Sequence, residues 1–168
     1  MARVRPRLRR RGFFYKAIPM IVEIDGHQIQ IDDADLPILE GYRWRVKDFS
    51  ARGYGPCMYV IGNHRVLLHR LLIGAIKGQF VDHANGDSLD NRRDNLRLCT
   101  HAQNMANRKM ARHNRTGLKG VERKGNGWRA RITKDGVRCH LGYFKTAAEA
   151  AAAFTEAARR LHGEFFRA

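Results

Sequence analysis

The thirty residues from Phe80 to Lys109, FVDHANGDSLDNRRDNLRLCTHAQNMANRK, constrain the fold more than any other stretch. An apolar pair, Phe80-Val81, leads into Asp82-His83 and reads as the end of a strand. Ala84 to Asn95 follows, a polar loop with turn material at Asn85-Gly86-Asp87 and Leu89-Asp90-Asn91. Leu96-Arg97-Leu98 alternates as a second short strand. Thr100-His101-Ala102-Gln103 then has the capping-box pattern, in which the Thr hydroxyl accepts from an early helix N–H and the Gln reaches back. The expected local structure is strand, loop, strand and a helix running to about Arg112, with Asp82 and His83 at a strand end and Asn104 one turn into the helix.

That layout suits one kind of chemistry. Mg²⁺ keeps most of its waters and takes one or two protein oxygens together with phosphate oxygens. The Asp82 carboxylate and the Asn104 amide oxygen supply such a clip. His83, adjacent on a strand, points away from Asp82 and can take a proton from an attacking water. A bound ion would polarise the phosphate and stabilise the leaving oxygen.

Together with His69-Arg70 and the run Asp90-Asn91-Arg92-Arg93-Asp94-Asn95-Leu96-Arg97, these residues resemble the HNH (ββα-metal) nucleases, in particular their phage and homing-endonuclease branch. The likeness spans roughly residues 65 to 112. It implies Asp82 and Asn104 as metal ligands, His83 as general base, and Asn95 as the residue that holds the loop and orients His83. The cofactor implied is Mg²⁺ or another divalent cation such as Mn²⁺. His69 is either a helper near the metal or a buried histidine bonded to the loop. Arg92, Arg93 and Arg97 are candidates to clamp a phosphate. Asn107 and Arg108 share the Asn104 face at helical spacing and are expected either to touch phosphate or to cap the strand ends.

Charge divides the chain into three regions. The net formal charge is +16, which points to a polyanionic partner. Residues 1–16 hold seven Lys/Arg and no acid, residues 17–112 thirteen against eleven, and residues 113–168 twelve against five. The excess lies at the two ends: a basic arm expected to be disordered alone and a C-terminal module. Within residues 17–62, Ile21–Ile24, Asp25-Gly26 and Gln28–Ile31 read as a hairpin. Asp32, Asp33 and Asp35 read as a turn and the start of a short helix with Pro37 just inside. This region is expected to be scaffold for the nuclease, with Arg43, Arg45 and Arg52 as further DNA-facing surface. The three cysteines, Cys57, Cys99 and Cys139, form no CxxC pair, so neither a disulfide framework nor a structural zinc site is expected. Free thiols fit a reducing cytoplasm. No apolar run reaches membrane-spanning length, and no signal-type apolar segment follows the basic start.

The C-terminal module reads as three strands near 119–123, 128–133 and 138–143 and a helix from Thr146, whose Thr146-Ala147-Ala148-Glu149 is a second capping box. Trp128, Ala130 and Ile132, with Cys139, Leu141 and Tyr143, are expected to face the helix. Arg129, Arg131, Thr133, Arg138 and His140 face outward. A cationic three-stranded sheet of this kind can enter a major groove. Lys119-Gly120-Val121, Trp128-Arg129-Ala130-Arg131-Ile132, Leu141-Gly142-Tyr143-Phe144 and Thr146–Ala151 resemble the AP2/ERF DNA-binding domain. That resemblance places Lys119, Lys124, Arg131, Thr133, Arg138 and His140 on DNA, although Glu122 and His140 depart from the plant pattern, so no target sequence carries over.

The fold expected is α+β: a ββα-metal nuclease core preceded by short antiparallel strands and followed by a small sheet plus helix. The activity expected is hydrolysis of double-stranded DNA by a homing-type endonuclease steered by its C-terminal module. A non-catalytic DNA-binding regulator and a structure-specific nuclease are the alternatives, and the pattern leaves monomer or homodimer open.

Overall fold

The computed structural model describes residues 17–50, 57–110, 114–134 and 136–167. The basic arm, Arg52, Arg112, the His113 end of the hinge and Asp135 lie outside the described residues. The described chain is α+β, with nine strands in four antiparallel sheets and four α-helices.

The first hairpin pairs β1 (Pro19–Ile24) with β2 (His27–Asp32) across the Asp25-Gly26 turn. Both turn residues have positive φ, 51° and 75°, as a two-residue hairpin of this hand requires. α1 (Leu36–Glu40) follows, with Pro37 in its first turn. β3 (Arg45–Asp48) pairs with β4 (Met58–Ile61), Val46 opposite Val60. α2 (Leu68–Ile73) ends at Gly74, whose φ of 68° is a left-handed cap. β5 (Phe80–His83) and β6 (Leu96–Cys99) pair with Asp82 opposite Arg97 and His83 opposite Leu96. α3 (His101–Asn107) has the Thr100/Gln103 capping box, but it stops at Asn107 rather than near Arg112.

A single apolar core joins these pieces. Ile29 and Ile31 of β2, Val60 of β4, Leu68 and Leu72 of α2 and Leu96 of β6 are buried together. β2 also bonds the loop between β5 and β6 directly: Gln30 N–H donates to the Leu89 oxygen (3.0 Å) and Asn91 N–H to the Gln30 oxygen (2.7 Å). The N-terminal hairpin is therefore structural support for the loop.

In the C-terminal module β7 (Val121–Lys124), β8 (Gly127–Lys134) and β9 (Val137–Phe144) form one sheet, and α4 (Ala147–His162) packs on it. Thr146 and Glu149 make the reciprocal cap expected. Gly120 is required where it stands: φ is 65°, and a Cβ there would lie 2.2 Å from the Phe154 ring. A bulge between Ala130 and Arg131 shifts the register, so that Ala130 faces Gly142 while Arg131 faces His140. A bulge moves the alternation by one residue, and this corrects one expectation. Tyr143 does not face the helix. It is 63% exposed, lies opposite Arg129 and packs on His140 at 4.7 Å, while Phe144 enters the core in its place.

Candidate functional site

Asp82 and His83, neighbours on β5, enter different environments. Both are buried, at 4% and 6% exposure. Asp82 faces α3 and β6. Its carboxylate accepts from Asn107 Nδ2 at 2.9 and 3.0 Å and from Arg97 Nε at 2.9 Å, and an Arg97 terminal nitrogen lies 2.8 Å away. His83 faces α2 and β4. Its ring sits 5.2 Å from that of His69 and 6.2 Å from that of Tyr59, and its Nε2 is buried without a hydrogen-bond partner among the described residues. Burial holds the His83 imidazole below the usual histidine range, against the opposing pull of an Asn91 hydrogen bond and the carboxylates of Asp82, Asp87 and Asp90. A neutral imidazole with a free ring nitrogen can accept a proton near neutral pH.

The loop between the strands is held by its own polar residues. Asn95, 7% exposed, accepts from Asn85 N–H (2.9 Å) through Oδ1 and donates to the Asp90 carbonyl (2.7 Å) through Nδ2. Its backbone oxygen accepts from Ala84 N–H at 2.8 Å, fixing the residue after His83. Asp90 accepts from Asn85 Nδ2 at 2.8 Å and takes Arg92 in a two-pronged pair at 2.8 and 2.6 Å.

The flanking arginines, candidates to clamp a phosphate, each have a carboxylate partner in this structure. Arg92 is on Asp90, Arg93 is on Asp35 (2.6 Å) and Arg97 is on Asp82, each pair drawn together because the carboxylate is buried. Asp32 and Asp35, read from sequence only as turn and helix-start residues, reach across the core edge to the Arg93 backbone and side chain.

On α3, Asn107 caps the strand end: Nδ2 donates to the His83 oxygen (2.8 Å) as well as to Asp82. Asn104, one turn earlier, is half-buried, and its side-chain amide bonds no described residue. Arg108 follows the helix, with a terminal nitrogen 3.5 Å from Met105 sulfur, and its charge reaches Tyr59. His69 lies against Tyr59 and His83, and its Nδ1 is buried without a partner among the described residues, so it is not the loop-bonded histidine considered above. Burial first, then the His83 and Arg70 charges, push its pKa down to about 3. The Asp82 carboxylate, a hard and buried oxygen donor, fits a divalent cation, with Arg97 here supplying the positive charge beside it and Asn107 donating to its oxygens. Among the described residues no three His, Cys, Asp or Glu side chains converge on one point.

On the C-terminal sheet, Lys124, Thr133, Arg138 and His140 are exposed. Arg129 and Arg131 are half-buried and both pair with Glu122, Arg131 at 2.9 Å. The Lys119 ammonium donates to the Arg167 carbonyl and lies 5.8 Å from the Phe166 ring. Sequence reasoning also missed the tail after α4. Glu164 to Arg167 lies against Arg97, Ala106 and Asn85, contacts that no local pattern announces. No helix among the described residues is long and apolar enough to cross a membrane.

Comparison with known proteins bears on the same stretch. Residues 66–106 match the family of HNH endonucleases. An uncharacterized HNH endonuclease of Acanthamoeba polyphaga mimivirus is 31% identical over 133 residues, covering 77% of this chain and 67% of that protein. Protein 3.8 of Escherichia phage T7 is 34% identical over 93 residues, 54% of this chain and 76% of that one. No solved structure matches the chain. The family match ends at residue 106, before the C-terminal module.

Proposed function

The chain belongs to the HNH endonuclease family and is a nuclease that hydrolyses DNA, and from that premise we propose how its residues divide the work. His83 is the general base. It takes a proton from a water molecule, the resulting hydroxide attacks phosphorus, and the P–O bond to the leaving sugar oxygen breaks. Asp82 and Asn104 hold one divalent cation, Mg²⁺ or Mn²⁺, which supplies Lewis-acid stabilisation of the phosphate and the leaving oxygen when bound. Asn95 fixes the loop that carries His83. Asn107 aligns Asp82 and the His83 carbonyl together, and so acts as a positioning residue.

The observation that carries this reading is the sidedness of β5. Adjacent residues present a buried carboxylate to one side and a neutral imidazole with an unpartnered nitrogen to the other. Base and cation can thus approach one phosphate from different directions.

The C-terminal module grips double-stranded DNA and directs the nuclease, as a homing-type enzyme working in the cytoplasm of a phage-infected host would require. The observations behind this part are the three-stranded sheet backed by α4, its likeness to the AP2/ERF pattern, and the exposed Lys124, Thr133, Arg138 and His140 on or beside its outer face.

The test is cleavage of supercoiled plasmid by the full chain with Mg²⁺ or Mn²⁺, with EDTA and His83→Ala as controls. Loss of a general base typically costs about 10²–10⁴ in rate, so nicked and linear products should fall by that factor while DNA binding persists. Cleavage that survives in His83→Ala at the wild-type rate removes His83 from the role.

A further inference from the structure

The segment after α4 belongs in sequence to the C-terminal module but lies on the nuclease site. Gly163, with φ of 55°, turns the chain out of α4. Arg97, whose Nε bonds Asp82 at 2.9 Å, donates through a terminal nitrogen to the Glu164 carbonyl at 3.1 Å, and its guanidinium lies 4.0 Å from the Phe165 ring centre. Two residues on, Arg167 donates to the Asn85 carbonyl at 2.7 Å, beside Gly86. Gly86 leaves room for it: a Cβ there would lie 2.0 Å from the Arg167 guanidinium. Phe166 anchors the tail to the module by packing on Phe154 at 6.1 Å.

We propose that residues 163–167 form a latch: by holding Arg97 on Asp82 and Arg167 on the Asn85 turn, the tail of the DNA-binding module keeps the nuclease site closed to its cation until DNA is engaged. This rests on the assignment of Asp82 as a metal ligand. The physical basis is competition. A divalent cation and the Arg97 guanidinium seek the same carboxylate oxygens, and like charges at that spacing repel. Arg97 must therefore withdraw for an ion to bind. Were Asp82 its only partner, that withdrawal would be local. The Glu164 carbonyl and the Phe165 ring hold it from the other side, so opening the site means displacing the tail.

DNA supplies the release. Across the junction Arg97 bonds the Glu164 carbonyl and Arg167 the Asn85 carbonyl, and a phosphate oxygen is the stronger acceptor for either guanidinium because it carries a full negative charge that a carbonyl lacks. A backbone entering beside the loop draws Arg97 and Arg167 onto phosphate and frees Asp82. The module that grips DNA and the tail that releases the site are one continuous segment, so binding and activation are linked.

Mn²⁺ binding to the full chain, read as loss of the free-ion paramagnetic resonance signal, tests the latch without relying on cleavage. The variants are Phe165→Ala/Arg167→Ala, Asp82→Ala and His83→Ala, the last allowing an uncleaved DNA duplex to be added. Without DNA, the tail variant should bind Mn²⁺ roughly three- to tenfold more tightly than wild type, the scale of one partly exposed cation–π contact. Duplex added to His83→Ala should give a similar gain, and the gain should shrink when the tail substitutions are also present. Equal or weaker binding by the tail variant overturns the latch while leaving the metal site standing. Mn²⁺ binding that is indifferent to Asp82→Ala overturns the metal assignment and the latch with it. Should the tail variant fail to fold, hydrogen exchange on the unsubstituted chain decides: duplex should lower protection both at residues 84–87 and at residues 163–167, and unchanged or raised protection there overturns the proposal.

Discussion

The nuclease half and the C-terminal module use arginine in opposite ways. Around the catalytic loop, Arg92, Arg93 and Arg97 each meet an aspartate whose side chain is 5% exposed or less. In the module, Arg129 and Arg131 share Glu122, which is 37% exposed, and Arg160 meets Glu156 in a pair that is more than 70% exposed on both sides. A carboxylate removed from water must keep its partner, because an uncompensated buried charge is costly, whereas an exposed pair is screened and contributes little. The Arg92 and Arg93 pairs therefore fix loop geometry, Arg97 can leave Asp82 only where a cation takes its place, and the exposed set remains open to exchange with phosphate. A net charge of +16 does not make that distinction; burial of the acidic partner does.

The largest expected effect breaks the first kind of pair. Arg93→Ala leaves Asp35 buried without its cation and also slackens the loop strand whose backbone Asp32 holds. Breaking a buried pair costs about 3–5 kcal/mol. The lower end applies here, because half of the Arg93 side chain is in solvent. A urea midpoint should register it as a clear loss of stability. Arg160→Ala, its counterpart on the surface of α4, should stay within about 0.5 kcal/mol. Similar losses for the two would dissolve the distinction.

A smaller effect is set by pH. His69 is buried neutral, with a pKa near 3 when folded against an ordinary 6.5. The unfolded chain therefore binds the proton first as pH falls, and stability is present above pH 6.5 and lost progressively toward pH 3. Between pH 7.5 and pH 5.5 that one group accounts for about 1.4 kcal/mol. Denaturant midpoints at the two pH values should differ accordingly, and His69→Phe should remove that share. An unchanged slope in His69→Phe would assign the acid sensitivity to other groups. The same burial argument predicts that cleavage weakens less on acidification than an ordinary histidine base would allow, since burial also lowers the His83 pKa.

Most of this architecture is legible locally. The apolar pair Phe80-Val81 marks β5, alternation marks β6, the two-residue turn Asp25-Gly26 marks the first hairpin, and both capping boxes form as their spacing requires. Legibility fails where the cause lies far along the chain. Asp35 reads as a helix-start residue because its partner is 58 positions away. Tyr143 was assigned to the wrong face because a bulge leaves no sequence mark except Gly142, a residue with many other uses. The span of α3 was overread because Asn107 reads as one more polar helix position, whereas its amide is committed to Asp82 and the His83 carbonyl. Within the candidate site only Asn95 is held by residues close in sequence, Asn85 and Asp90, whereas Asp82 meets Arg97 and Asn107 and His83 meets His69, partners that no local pattern announces. The tail contact of Arg97 and Arg167 is invisible because it joins residues more than sixty positions apart.

The smallest effect sharpens the comparison from the other side. Glu122 partly neutralises the face that the module would present to DNA: both Arg129 and Arg131 lean on it, and they in turn hold its carboxyl below the ordinary range, Arg129 foremost. Glu122→Gln keeps the shape and removes the charge. Because the pair is solvent-accessible, folding stability should change little. The two guanidiniums are then free to meet phosphate or base edges, so affinity for duplex should rise a few-fold, and the salt dependence should steepen by roughly one further phosphate contact. A binding series against salt concentration separates this from a structural effect, since a mere loosening of the sheet would weaken binding at every ionic strength. If Glu122→Gln instead lowers affinity with no change in slope, Glu122 is aligning the arginines rather than masking them, and the ion pairs of the module would resemble those of the catalytic loop after all.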